Sequence, residues 1–311
     1  MRISEYASPV TPQYLAVAPD GAAYTGYGAN GSGSNLYRDA NGSFTHASPA
    51  GPPSGYEAGG GVYGIAATGS QVYWLSAYGG PNFQPYVAVE CGGTGTAALC
   101  EPTVDEPTTM LVDAGGTFWV GGWSYSGGGM IATSAKTRNT FNGGIVQLLL
   151  GPDKAVWGAL QNYPNYAIAR FSDTNGTVSI AAQFALPSGD AIGSMTYGGD
   201  GALWFTDPQR NAIGRMDAAG NLTEYPLTGS NALGQPWYGV WQITTACDGS
   251  VWFTEPGLNE VGRIDAHGAI DQFPLATPNA YPNAIASTGK CAPPEVWVAE
   301  QTANKLATIS Y

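Results

Sequence analysis

The chain has 311 residues and a net charge of −12, from 11 basic and 23 acidic side chains. That balance excludes nucleic acid, whose phosphates require a basic patch, and argues against docking on anionic lipid. No apolar run approaches the ~18 residues of a membrane helix, so membrane insertion is not expected.

The composition fits an all-β chain. There are 45 Gly and 22 Pro for turns, 18 Tyr and 9 Trp to pack flat on sheets, and only 11% charged residues, against about 25% in an average globular protein. Taken in chain order, RISEYAS (Arg2 to Ser8) reads as a strand whose closest likenesses, LTEYPL and IDQFPL, lie far downstream. A first unit centres on Tyr24. GSFTHASPAGPPSGYEAGGG then reads as a surface loop leading to a second unit around Trp74. A third unit centres on Trp119, with GGWSYSGGGMIATSAKTRNTFNGG read as another surface loop, and a fourth on Trp157. The fifth and sixth are near copies, GALWFTDPQRNAIGRMDAAGNLTEYPL and GSVWFTEPGLNEVGRIDAHGAIDQFPL, with Trp204 and Trp252 48 positions apart. The seventh, around Trp297, ends with one further strand, NKLATIS.

Seven aromatic anchors at steps of 38 to 50 residues predict seven blades around an axis, each a four-stranded antiparallel meander, in one domain over residues 1–311. The last unit lacks its outermost strand. The N-terminal strand is expected to supply it, closing the ring and capping an open sheet edge.

The four cysteines form two pairs. Cys91 and Cys100 bracket the turn of CGGTGTAALC, and Cys247 and Cys291 sit at matching points of consecutive repeats. An even count at related positions suggests disulfides and a secreted or periplasmic protein; four buried thiols are the alternative. MRISEY has no apolar signal core, so an exported protein would have lost its leader upstream of Met1.

The string G-x-L/V-W-F-T-E/D, then N-x-I/V-G-R-I/M-D, a turn Gly and E-Y-P-L resembles the repeat of the streptogramin B lyase family. The likeness is strongest over Gly193 to Tyr311. The resemblance implies a seven-bladed propeller. It also implies an elimination that opens a cyclic depsipeptide without hydrolysis. For that it brings a His general base in an E-P-H-G-I segment, a nearby metal-holding Glu, and a further His in a P-H-A-I segment one blade earlier. Here the first segment reads AYPNAIA, with Asn283 at the His position and Tyr281 at the Glu position; the second reads QPWYGVWQI, without His. An amide takes up no proton at neutral pH, so chemistry of that type loses its base. The two His present, His46 in GSFTHAS and His267 in DAHGA, read as surface residues.

In a propeller, the loops entering the inner strands and those leaving the second strands open on one face. Projected through the repeat, the entry positions are Gln13, Tyr63, Thr108, Tyr238 and Asn283, with Tyr14, Trp237 and Tyr281 beside them. This set of amides, phenols and indole suits a polar small molecule or an extracellular glycan, since aromatic faces stack on sugars and amides accept hydroxyl protons. The exit positions carry Asp207, Glu255 and Glu300. If they converge, their hard oxygens suit Ca²⁺ or Mg²⁺; otherwise they tie neighbouring backbone or the repeated Asn211 and Asn259. The repeated Arg215 and Arg263 are expected to form salt bridges from blade to blade. Zinc spacing among the cysteines, a phosphate-cradling Gly loop and a Ser-His-Asp set are all absent.

Three functions compete. The first is an extracytoplasmic binding module. The second is a lyase or lactonase-like enzyme, with Tyr238 or Tyr281 as base and a metal on Glu255 or Glu300; a phenol near pKa 10 serves poorly without positive charge beside it. The third is a rigid disc in a surface assembly.

Overall fold

The structure, a computed structural model, describes residues 1–18, 21–27, 35–40, 43–46, 62–68, 71–79, 85–91, 98–100, 104, 106–124, 127–134, 138–229 and 239–311; from 27 to 100 side chains are described only at Gly64 and Ile65. Among the described residues there is no helix, and the strands form four-stranded antiparallel sheets.

Sheet one holds β2 (Tyr14–Val17), β3 (Ala23–Tyr27), β4 (Asn35–Ala40) and β5 (Ser43–His46). Sheet two holds β6 (Val62–Thr68), β7 (Gln71–Gly79), β8 (Pro85–Cys91) and β9 (Ala98–Cys100). Sheet three holds β10 (Glu106–Val112), β11 (Phe118–Trp123), β12 (Gly129–Thr133) and β13 (Arg138–Phe141). Sheet four holds β14 (Gly144–Leu150), β15 (Val156–Asn162), β16 (Asn165–Thr174) and β17 (Thr177–Ala185). Sheet five holds β18 (Met195–Tyr197), β19 (Leu203–Asp207), β20 (Ala212–Met216) and β21 (Leu222–Pro226). Sheet six holds β22 (Ile243–Thr245), β23 (Val251–Glu255), β24 (Glu260–Ile264) and β25 (Ile270–Pro274). In sheet seven, β26 (Pro282–Cys291), β27 (Pro294–Glu300) and β28 (Lys305–Ser310) are joined by β1 (Arg2–Ala7). β1 pairs with β28 from Arg2 opposite Ser310 to Ala7 opposite Lys305.

The first strand of each sheet lies against that of the next: β2 against β6, and so on through β22 against β26, with β26 also against β2. Every aromatic anchor sits on a second strand, which is sandwiched between neighbours. β19 and β23 are therefore buried at all five positions, whereas β21 exposes most of its residues. Each described hydrophobic cluster joins two adjacent sheets; one packs Trp204 and Ile213 of sheet five against Ile243, Phe253 and Ile264 of sheet six. Burying each such side chain contributes roughly 1.5–3 kcal/mol. The Gly of the repeated I/V-G-R string has a packing role: a Cβ on Gly214 or Gly262 would strike the ring of Phe205 or Phe253 directly opposite.

Asp200 organises the turn before its Trp. Its Oδ1 accepts from the Ala202 amide (3.1 Å) and Trp204 Nε1 (3.0 Å), and its Oδ2 meets Arg215 Nε at 2.7 Å. Asp153 repeats this with Ala155, Trp157 and Arg170. The expected blade-to-blade salt bridges of Arg215 and Arg263 are thus corrected: they pair with Asp200 and Asp248 of their own sheets. The cause is register, since each Arg lies directly opposite the Trp of its own second strand.

The second stretch read as a surface loop also differs. It contains the end of β11, all of β12 and β13, which are sheet strands. Its glycines serve close approach; a Cβ on Gly121 would lie 2.6 Å from Ile145 Cγ2, and one on Gly129 would overlap the Gly143 carbonyl. In the first such stretch, residues 43–46 form β5 and the rest lies outside the described residues.

Cys247, in the turn after β22, is bonded to Cys291 at the end of β26, with Cα atoms 5.0 Å apart. This ties sheets six and seven across a separation of 44 residues. Cys91 and Cys100 fall on the paired strands β8 and β9, and their side chains lie outside the described residues. Non-reducing peptide mapping is expected to recover the Cys247–Cys291 cross-link, and Cys291→Ser to cost about 2–4 kcal/mol; two unlinked thiols would contradict it. Deleting residues 1–7 leaves β28 as an unpaired edge and is expected to lower the melting temperature by more than about 5 °C, which calorimetry measures.

Candidate functional site

A pocket of about 250 Å³ lies among the first strands, lined by residues at or beside β2, β6, β10, β14, β18, β22 and β26. Gln13, Thr108, Thr109, Gln147, Ser194 and Gln242 face it, and its described lining includes no charged side chain and no His. Several of these positions are set by β-bulges. Register shifts occur between Val62 and Gly64, Pro107 and Thr109, Ile145 and Gln147, and Pro282 and Ala284. The extra residues are Tyr63, Thr108, Val146 and Asn283, so three of the entry positions read from sequence are bulge residues. A bulge leaves its extra residue out of the ladder and re-aims it.

These polar groups also strap sheet to sheet. Thr108 Oγ1 donates to the Ile145 carbonyl, and Thr109 Oγ1 accepts from the Leu148 amide at 2.9 Å. Gln147 holds both backbone groups of Met195, accepting from the amide at 2.6 Å and donating to the carbonyl at 3.1 Å. Asn283 Nδ2 donates to the Gln13 carbonyl at 3.1 Å, linking sheet seven to sheet one. Such bonds give backbone groups of one sheet a side-chain partner from the next. Tyr281 adopts φ 53° beside the mouth. The Tyr63 side chain, Trp237 and Tyr238 lie outside the described residues.

Asp207, Glu255 and Glu300 end their second strands at this same end of the sheets and are at most 1% exposed. They do not form one cluster. Asp207 gathers with Asp190 and Glu224, their carboxylate oxygens within 4.8 Å of one another, a group that could hold a cation. Arg210 already meets Asp190 there and lies 3.8 Å from Glu224, so a divalent ion would have to displace a guanidinium. Glu255 Oε2 accepts from Gln272 Nε2 at 2.8 Å. Glu300 lies among Glu5, Lys305 and Thr277; in that network Lys305 Nζ meets Glu5 at 2.7 Å and Thr277 at 2.8 Å. The partners Glu224, Gln272 and Glu5 occupy one repeat position, which sequence reading did not single out although E-Y-P, Q-F-P and E-Y-A repeat there. The repeated asparagines do not bind these carboxylates. Asn211 and Asn259, with φ 51° and 60°, donate to Gly229 and Thr277 carbonyls and so pin the crossing to the next sheet.

An all-β repeat of four-stranded antiparallel sheets, with a polar pocket among their first strands, is the class of protein this geometry defines. Residues 56–311 match the virginiamycin B lyase family, and the chain belongs to it. It is similar to a streptogramin B lyase structure at 22% identity and TM-score 0.73, covering 100% of this chain and 98% of that one. It is also similar to a catalytically inactive virginiamycin B lyase from Staphylococcus aureus with quinupristin, at 20% identity and TM-score 0.69, covering 100% and 99%. The extracellular domain of a hybrid two-component system from B. thetaiotaomicron matches at 13% identity and TM-score 0.61, covering 98% of this chain and 40% of that one. No curated protein matches the sequence significantly.

Burial raises the three carboxylates: Asp207 to about 6, despite amides that stabilise its charge, Glu255 to about 7, and Glu300 to about 7 with help from Glu5. A folded-state pKa above the unfolded value means that the fold holds the proton more tightly. Their contribution is therefore complete below about pH 4 and is lost as pH rises through 6 to 7. Glu5, held low by its hydrogen bond from Lys305, acts oppositely and loses its contribution as pH falls below 4.5. The melting temperature is expected to be higher at pH 5 than at pH 8, with Glu255→Gln removing about 2–3 kcal/mol of that difference; thermal unfolding against pH measures this, and equal slopes in both proteins would contradict it.

Proposed function

We propose that the chain is a single extracytoplasmic seven-bladed β-propeller that binds a polar, uncharged ligand, such as a glycan end, at its axial mouth. The ring reading is supported by the contact of β26 with β2 and by the Asn283 strap to Gln13. β1 then completes the last blade. The oxidised pair Cys247–Cys291 supports a compartment outside the cytosol, as does the likeness to an extracellular domain.

The observation that carries the binding role is the pocket itself: about 250 Å³, walled by amides and hydroxyls without a charged group. That is just below the ~300–1,000 Å³ of usual ligand pockets, so a ligand inserts one end and rests the remainder on the rim. Gln242 is the wall amide whose side chain projects beside bonds made only by its own backbone. Family membership favours the alternative, an eliminase acting on a cyclic substrate. Against it stands Asn283, whose amide donates to a carbonyl and supplies no base.

A glycan array is expected to give one ligand class. Gln242→Ala should weaken that ligand about tenfold, the loss of a ~1.4 kcal/mol hydrogen bond, with the melting temperature unchanged. Incubation with a streptogramin B antibiotic should leave the ring closed by mass spectrometry. Ring opening, or an array without signal, would overturn the reading.

A further inference from the structure

We propose a second site, for an alkylated ammonium ligand, in the cleft between sheets four and five, walled by Trp157, Phe184 and Tyr197. The cleft encloses about 380 Å³ and lies at the turn ends of the strands, away from the bulged mouth. Its origin is a departure from the repeat. Trp119, Trp204, Trp252 and Trp297 are all at most 5% exposed, whereas Trp157 is only partly buried. At the next junction the guanidinium of Arg215 lies 5.7 Å over the Trp204 ring, beside the stacked Tyr225.

Three rings bound the opening. Trp157 and Phe184 lie nearly parallel with centroids 6.2 Å apart, and Tyr197 stands edge-on to Trp157 at 6.4 Å and 76°. Ring faces attract cations, most strongly those that shed water readily, and quaternary ammonium groups are bound by such aromatic surroundings.

The charged groups at the rim favour the same ligand. Asp153 and Asp217 stand against one guanidinium, Arg170. Each carboxylate already accepts three hydrogen bonds within the protein, of about four it can take. Asp153 takes Ala155, Trp157 and Arg170; Asp217 takes Ala219 and both donors of Asn221. They keep their charge while having little left for hydroxyl groups. A sugar needs directional hydrogen bonds and is poorly served here. A cation that needs only negative potential and ring faces is well served, and the net charge of −12 draws it in.

Isothermal titration of the whole protein with benzyltrimethylammonium, against its uncharged carbon isostere neopentylbenzene, tests the proposal. The cation is expected to bind at least tenfold more tightly. Ala182→Phe, which fills the cleft from β17, should abolish binding, and Phe184→Leu, which removes one ring face, should weaken it at least fivefold. Either variant with an unchanged melting temperature suffices. Equal binding of the isostere, no saturable heat with the cation, or binding unaffected in a folded variant would overturn it. Because this cleft is remote from Gln242, the axial variant should leave the titration unchanged, so the two sites fail or hold separately.

Discussion

Sheets five and six, whose side chains are described throughout their inner strands, each present two apolar faces and can bury neither by themselves. Trp204 and Phe205 lie side by side on β19 and point to opposite faces, and Trp252 and Phe253 do the same on β23. One face therefore needs the preceding sheet and the other the following one. Every described core cluster reflects this, since each draws on two sheets. Stability is then a property of the junctions, as in repeat proteins where each unit contacts its neighbours. The glycines follow from the same constraint. Gly214 and Gly262 leave room for a ring of their own sheet, and Gly121 for Ile145 of the next.

Among the described residues, the junction between sheets six and seven is tied in three ways. It has an apolar cluster, the Cys247–Cys291 bond, and the Thr277 to Glu5 hydrogen bond of 2.8 Å. Glu5 belongs to the strand from the opposite end of the chain, so this junction closes contacts separated by 272 positions. Such pairing is entropically costly to form, because a long loop must close first. Glu300, buried next to Glu5 and Lys305, makes the same junction sensitive to protonation. Sequence-distant pairing and buried charge thus meet at one place.

The repeat was legible because packing imposes it. The Trp–Phe pair and the Gly opposite Phe answer a packing demand that recurs in sheets five and six, and the Asn in the left-handed turn, Asn211, Asn259 or Asn304, recurs in sheets five to seven. The strand RISEYA was legible for the same reason: Glu5 and Tyr6 stand where Glu224 and Tyr225 stand in sheet five. Glycine misled where it had two uses. In the third unit a Gly-rich run looked like a loop, yet Gly129 and Gly121 sit in strands pressed against a neighbour. The carboxylates misled differently. Projection along the repeat put Asp207, Glu255 and Glu300 at equivalent positions, and they end β19, β23 and β27, but an equivalent position does not give direction. Each meets a different set of partners: Asp190 in the crossing before β18 together with Glu224 of β21, Gln272 of β25, or Glu5 and Lys305 of sheet seven. Those partners are distant in sequence, and only folding brings them together.

On the proposed reading, the position that separates binding from elimination is Asn283, which rests on a bulge. Asn283 is the extra residue between Pro282 and Ala284, and its side chain leaves the ladder to reach Gln13 of sheet one. An amide there donates a hydrogen bond to the Gln13 carbonyl across the sheet boundary. A general base in the same place needs an unshared electron pair aimed at substrate, and an amide nitrogen has none to offer at neutral pH. The strap and the base are therefore alternatives at one residue. In this chain the bulge residue links sheet seven to sheet one, and the polar side chains among the described lining of the pocket are neutral donors and acceptors, which is the chemistry the proposed binding role draws on.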